Sequence, residues 1–312
     1  MTSVPVDTLL TDVREGSRRA VSRALSRLEN GDAELTAAAL RLSRSSAWVL
    51  GITGAPGVGK SSTIRRLIEL GRRAQRRIAI LAFDPTSINS GGALLGDRLR
   101  MAEVLDAEAS VYMRSMATRL HLGGLSRSCP AAVNILASAG FDMIIVETVG
   151  VGQSEVDVMR LADTVLVIVG PNSGDWVQAA KGGVMEIGDV VGISKSDLDG
   201  AADTFRDVRA IIGHRPGSEA IIPVVPFSAH QKNGLDQLWQ ELLACAKAGS
   251  QVTDGSAMRT LVHSTIDAVL DGLTDSAMTE LMASTSSSEL LWHLADLVTA
   301  ERPPLDERNE GA

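Results

Sequence analysis

Gly54-Ala55-Pro56-Gly57-Val58-Gly59-Lys60-Ser61 fits G-x-x-x-x-G-K-[ST], the phosphate-binding P-loop. The apolar run Ala47-Trp48-Val49-Leu50-Gly51-Ile52-Thr53 reads as a buried strand entering it, and Ser62 to Arg73 reads as a helix leaving it. A chance Gly-rich turn ending in Lys-Ser does not bring that context. Glycines let backbone N–H groups turn inward around phosphate oxygens, and the helix N-terminus adds the positive end of its dipole. The expected nucleotide-binding positions are Gly54, Ala55, Gly57, Val58, Gly59, Lys60, Ser61 and Ser62. Lys60 is placed to reach the β- and γ-phosphates, and Ser61 to hold a magnesium ion.

Outward from this loop, strands and helices alternate. Further strand candidates are Arg77–Phe83, Asp142–Glu147, Thr164–Val169, Val190–Ser194 and Ile221–Phe227, rich in Val and Ile. Fully apolar strands between helices imply α/β architecture: a mostly parallel sheet covered on both faces, joined by right-handed crossovers. Ligands of such sheets lie at the carboxyl ends of the strands. Residues 1–46 read as a helical segment, with Leu9, Leu10 and Val13 on one face and Val21, Leu25 and Leu28 on another. Asn30-Gly31-Asp32 breaks that pattern and Glu34 to Leu42 resumes it. The expected domains are therefore 1–46, 47–249 and 250–312, the last a helical tail striped with Leu261, Ile266, Val269, Leu270 and Leu273.

Composition removes several classes. A net charge of −8 argues against nucleic acid as the main partner. The one basic cluster, Arg72, Arg73, Arg76 and Arg77, falls at a helix C-terminus, where cations meet the negative dipole end. Cys129 and Cys245 stand far apart, with neither metal nor disulfide spacing, which suits a reducing cytoplasm. Asp7, Asp12 and Glu15 interrupt any apolar run near the start, so no signal peptide is expected, and no stretch is long enough to cross a membrane.

The later strand ends narrow the ligand. Asp142-Met143-Ile144-Ile145-Val146-Glu147-Thr148-Val149-Gly150 is an apolar strand ending in a carboxylate, with a glycine beyond it. In P-loop enzymes such an acid contacts magnesium and such a glycine senses the γ-phosphate. Ser194-Lys195-Ser196-Asp197 resembles the guanine-reading Asn-Lys-x-Asp, with Ser194 in place of the usual Asn. A carboxylate at Asp197 accepts from N1 and N2 of guanine, whereas adenine offers no such donor pair. Thirty residues after Asp197, Phe227-Ser228-Ala229 matches the loop whose backbone N–H reads the guanine oxygen. The ordered set favours GTP over ATP.

Phe83-Asp84-Pro85-Thr86-Ser87 and Ser90-Gly91-Gly92-Ala93-Leu94-Leu95-Gly96-Asp97-Arg98-Leu99-Arg100-Met101 resemble the MeaB/ArgK family of GTPases. So do Ser115-Met116-Ala117-Thr118-Arg119, Glu147 to Glu155, and Gly182-Gly183-Val184-Met185-Glu186-Ile187. The likeness runs over about residues 1–300. It implies a homodimeric, cytoplasmic, magnesium-dependent GTPase that turns GTP and water into GDP and phosphate. It further implies a chaperone for an adenosylcobalamin-dependent acyl-CoA mutase, gating cofactor loading and protecting the mutase, with the C-terminal helices as a dimerisation arm. On the matching positions, Asp84, Asp97 and Glu147 become the magnesium-shell carboxylates beside Ser61.

Gly174-Asp175-Trp176-Val177-Gln178-Ala179-Ala180-Lys181-Gly182 matches the family's switch loop. Lys181 is there either a cation for transition-state charge or a solvated helix lysine. The chain departs from the family at Trp176, where an acid is common, and at Gly182, where a second lysine is common. Trp176 is a packed anchor or a partner contact. Gln153 lies three residues beyond Gly150 and suits a switch or partner contact better than water positioning, and His121 reads as structural or interfacial. Two other functions stay open: a kinase acting on amino-acid transport proteins, and a metallochaperone GTPase.

Overall fold

The computed structural model describes residues 4–42, 47–85, 110–118, 124–148, 161–171, 173, 188–212 and 221–249. Three helices come first: α1 (Val6–Arg14), α2 (Arg18–Glu29) and α3 (Ala33–Leu40). Then follow β1 (Trp48–Gly54), α4 (Lys60–Arg73), β2 (Ile78–Pro85), β3 (Val111–Thr118), α5 (Gly124–Ser138), β4 (Met143–Thr148), β5 (Thr164–Val169), β6 (Val190–Ile193), α6 (Ala201–Ile211), β7 (Val224–Pro226) and α7 (Leu235–Gly249). The strands form one sheet in the order β3-β2-β4-β1-β5-β6-β7, and every neighbouring pair is parallel.

The central strands β1, β4, β5 and β6 are buried at every position because helices cover both faces, and the alternation of side chains sorts their apolar residues into two cores. Val49, Ile144, Val146, Val165 and Val167 join the cluster that α5 and the N-terminal helices close. Leu50, Ile52, Ile145, Leu166 and Ile168 join the opposite cluster, which α4 and α7 close with Ile64, Leu67, Leu238 and Leu242. Each fully buried Leu or Ile contributes about 1.5–3 kcal/mol relative to exposure.

The N-terminal helices are part of that first core: Leu9, Leu25 and Leu35 are fully buried in it. Ser17 caps α2 by accepting from the Ala20 N–H, and Asp32 caps α3 by accepting from the Leu35 N–H at 2.9 Å. The Asp32 carboxyl lies below its ordinary value: burial alone would raise it, but the Leu35 N–H and the Arg27 guanidinium outweigh burial.

Six strands match the expected ones within a few residues at each end. The expected Ile221–Phe227 strand contracts to three residues, because Pro223 and Pro226 donate no ladder hydrogen bond and fit only a sheet edge. β3 forms the opposite edge and has no counterpart among the expected strands. Its run Met113-Arg114-Ser115-Met116 lacks the apolar continuity of a central strand, and α2 covers it. Arg114 reaches Ser26 and Glu29 there, while Arg18 donates to the Val111 carbonyl. The helices α5 and α6 are two of those expected between the strands, and the structure supplies their bounds. The expected C-terminal domain, 250–312, lies outside the described residues.

Candidate nucleotide site

The carboxyl ends of the strands present the expected site residues in spatial order. Asp84 and Glu147 each stand one residue before the end of β2 and β4, β1 runs into the Gly54–Ser61 loop, and β6 and β7 lead to 194–197 and 227–229. At about 4.8 Å between strands, the last two loops lie roughly 10–14 Å across the sheet from β1. That is the span of a nucleoside triphosphate laid along the sheet edge, its phosphates at the P-loop and its base toward β6 and β7.

The P-loop takes its shape from three glycines in left-handed backbone: Gly54 at φ 149°, Gly57 at 78° and Gly59 at 101°. At Gly54 the need is also steric, since a Cβ there would sit 2.3 Å from the Ile168 carbonyl oxygen of β5. α4 begins at Lys60, so the N–H groups of its first turn, Ser61 and Ser62 among them, open toward the loop. Lys60 is buried, and its Nζ donates to the carbonyls of Gly54 at 2.6 Å and Ala55 at 3.1 Å. The cation is thus folded over the concavity, with its charge aimed where phosphate oxygens would lie. Val58 is buried beneath the loop in the α4-side core.

Ser61 is half-buried at the start of α4, and Glu147 is 3% exposed at the end of β4, in register with Ile52 of β1. A serine hydroxyl and a buried carboxylate flanking the P-loop are oxygen donors of the kind a hard divalent cation takes. Asp84 lies on the next strand, two positions past Ala82, which pairs with Glu147. Among the described residues no three His, Cys, Asp or Glu cluster for a metal. Magnesium held by a P-loop serine and phosphate oxygens requires no such cluster. Asp97, Gly150 and Lys181 lie outside the described residues, as do His121, Gln153, Trp176 and Gly182.

The two expected base-reading loops come together. Phe227, fully buried, donates its N–H to Ile193 at 2.8 Å and accepts from the Ser196 N–H at 3.1 Å. The Ser228 hydroxyl donates to Asp197 and is the main reason that carboxyl lies below its ordinary 3.8; the backbone N–H of Asp197 and the charge of His230 add to this, against slight desolvation. Ser228 is itself held by its N–H to Asn233 and by the Gln231 N–H donating to its Oγ at 3.0 Å. Asp197 is exposed, an acceptor-only carboxylate at the mouth of the site.

Ser194 does something the sequence did not reveal. Its buried hydroxyl lies 2.6 Å from the Val58 carbonyl and 3.2 Å from that of Val169. With one proton to give, it favours the shorter contact, and so ties the base strand to the P-loop. Lys195, in left-handed backbone at φ 54°, makes a second tie: its Nζ donates to the Gly57 carbonyl at 2.8 Å. Its stem therefore stretches between the two loops, where it would cover one face of a base. Sequence reasoning missed Arg66 altogether. From α4 it donates through Nε to the Ala229 carbonyl at 2.8 Å, and through Nη1 to both oxygens of Glu69 at 2.9 Å. Only the spacing of Arg66 and Glu69 along one helix hinted at a fixed side chain. Of the basic cluster at the far end of α4, Arg76 lies over the Trp48 ring and Arg77 over that of Phe141.

A parallel sheet with a glycine-shaped phosphate loop between β1 and α4 defines a P-loop NTPase. Residues 20–279 match the family model described as methylmalonyl Co-A mutase-associated GTPase MeaB. The chain belongs to that family and is a GTPase. It is 38% identical over 250 residues to a Pyrococcus horikoshii protein named as a GTPase, a match covering 76% of this chain and 77% of the other. Over a shorter stretch of 151 residues it is 43% identical to a Caenorhabditis elegans protein named methylmalonic aciduria type A homolog, mitochondrial, covering 48% of this chain and 38% of that one. The crystal structure of a protein called LAO/AO transport system kinase shares the fold, with a TM-score of 0.66 at 21% identity over 96% of this chain and 99% of that one. No helix among the described residues is long and apolar enough to cross a membrane.

Proposed function

We propose that this GTPase is a magnesium-dependent chaperone for an adenosylcobalamin-dependent acyl-CoA mutase. Its GTP cycle gates cofactor loading and protects the mutase in the cytoplasm. The observation that carries the nucleotide half of this reading is the pairing of Asp197 with Ser228 across from the P-loop. That pairing supplies a carboxylate for N1 and N2 of guanine, beside the backbone that would meet its oxygen. The mutase half rests on family membership and on the resemblance of the motifs around Asp97 and Glu147.

In this reading the P-loop N–H groups and Lys60 hold the β- and γ-phosphates, and Ser61 with Glu147, Asp84 and Asp97 surrounds the magnesium ion. The ion, when bound, neutralises charge developing on the transferred phosphoryl group. Gly150 senses the γ-phosphate. Gln153, three residues beyond Gly150, suits a switch or partner contact better than water positioning, so the isolated protein is expected to turn over slowly. A bound mutase accelerates hydrolysis through the loop carrying Lys181, and the residues beyond 249 join two copies into a homodimer. Nucleic acid and membrane are not partners in this scheme.

Phosphate release with and without a cobalamin-dependent mutase is the test. Stimulation by the mutase, abolished when magnesium is chelated, supports the reading, and a rate that no such mutase changes removes the chaperone role. The name of the structurally similar LAO/AO transport system kinase favours one other reading, phosphoryl transfer to a transport protein. Label from γ-phosphate appearing on protein rather than in solution would establish it. Metal delivery has less support, since Cys129 and Cys245 are buried in the two separate cores on opposite faces of the sheet.

A further inference from the structure

We infer that Arg66 is a positioning residue for base recognition, through which the phosphate-bearing helix holds the guanine-reading loop. The inference rests on the nucleotide reading above and adds a residue to it.

Arg66 stands in the second turn of α4, six residues after Lys60. Its side chain is only 19% exposed, and the guanidinium is used in two directions at once. Nε donates to the Ala229 carbonyl at 2.8 Å, and Nη1 donates to both Glu69 oxygens at 2.9 Å. Arg65 also approaches Glu69, at 3.9 Å, so the carboxylate is steadied from its own helix. A planar fork fixed at one edge by a carboxylate points its remaining N–H along a set direction. That direction ends on the residue whose N–H would read the guanine oxygen.

The rest of the 227–229 segment is held from the β6 side and from its own turn. Phe227 bonds Ile193 and Ser196, and Ser228 bonds Asn233 and Gln231. Arg66 supplies the tie from the phosphate side. Without it, Ala229 is anchored by its neighbours alone, and its N–H loses a fixed distance from the P-loop. The oxygen it would read distinguishes guanine from adenine. Asp197, which would read N1 and N2, is held separately by Ser228. Loss of Arg66 therefore weakens recognition of the base oxygen and leaves phosphate binding intact.

The experiment compares GTP, ITP and ATP affinities by calorimetry for the full-length wild type, Arg66→Ala, Arg66→Lys and Glu69→Gln. ITP keeps the 6-oxygen and lacks the 2-amino group. Arg66→Ala is expected to weaken GTP and ITP by the same factor, about tenfold, with ATP unchanged. Glu69→Gln is expected to show a smaller loss in the same pattern, and Arg66→Lys a partial recovery. The kcat of bound GTP stays near wild type while KM rises. An equal loss for all three nucleotides, or a fall in kcat without a KM change, makes Arg66 merely structural and overturns the proposal. If Arg66→Ala does not fold, Glu69→Gln decides on the same ratios. A wild type that favours GTP over ATP, with the ratio kept in every variant, sinks Arg66 alone. A wild type with no guanine preference removes the base site itself, and this inference with it.

Discussion

The phosphate loop between β1 and α4 is shaped by backbone, whereas the base-reading loops after β6 and β7 are held by side chains. At the first, three glycines in left-handed conformation bend eight consecutive residues into a nest, and one lysine lies folded across it. At the second, Ser194, Lys195, Ser228 and Arg66 bridge segments far apart in sequence. The contrast follows from what each end must recognise. Phosphate oxygens are identical acceptors that any array of N–H groups can satisfy. A base edge has donors and acceptors in fixed places, so groups reading it must be located by something rigid. Damage to the phosphate end should therefore be total and indifferent to the base, and damage at the base end graded and selective.

The sharpest break is Gly54→Ala. Its Cβ would meet the Ile168 carbonyl oxygen at 2.3 Å, in backbone at φ 149° that alanine resists. Chemical denaturation should show a loss of about 2–5 kcal/mol. An unchanged midpoint would mean that the loop reshapes freely, and the backbone half of the contrast would fail. Lys60→Ala should leave the fold intact and weaken GTP and ATP alike by at least ~100-fold, since a charge-assisted contact to phosphate is lost. Calorimetry that finds GTP affinity retained would refute the P-loop assignment.

Ser194→Ala tests the tie between the two ends. The buried Val58 carbonyl would lose its hydroxyl partner, at a cost of about 1–2 kcal/mol or roughly tenfold in affinity. Because the tie lands on the P-loop, GTP and ATP should weaken together, unlike in the Arg66 variants. A change confined to GTP would place Ser194 on the base instead. The smallest expected effect is that of pH. The Ser228 hydroxyl holds the Asp197 carboxyl below its ordinary 3.8, so the charged form is kept down to that value and lost only as pH falls through the lowered one. The ratio of GTP to ATP affinity should stay flat from pH 8 to pH 5. A decline within that window would show that another group reads the base.

The same contrast explains what could be read in advance. The P-loop was legible because its whole chemistry lies in eight adjacent residues, with an apolar strand before and a helix after. Five of the six expected strands are legible because burial on both faces makes them largely apolar, whereas β7, a half-buried edge strand, is shorter than its apolar run suggests. β3 was not, since an edge strand covered by α2 can carry Arg114 in its middle and satisfy it with Glu29. Asp197 and Ser228 were legible by motif, but their contact was not, because no pattern in one chain announces a hydrogen bond across thirty residues. Arg66 and the Val58 tie of Ser194 were hidden for the same reason: each joins a side chain to a backbone carbonyl, and every residue has one of those. The packing of α1–α3 into the sheet's core, too, depends on which helix covers which strand, and their own periodicity says only that one face is apolar.

Binding of GTP and XTP to the wild type and to Asp197→Asn, measured by calorimetry with magnesium present, goes most directly to whether this chain reads guanine through its own carboxylate. Asparagine presents an N–H donor where aspartate only accepts, and XTP carries a carbonyl where GTP carries its amino group. The expected result is a wild type that prefers GTP and a variant that prefers XTP, with the total binding strength of each preferred pair similar. A variant that still prefers GTP, or a wild type that binds the two equally, would contradict the assignment of the base site to the loops after β6 and β7.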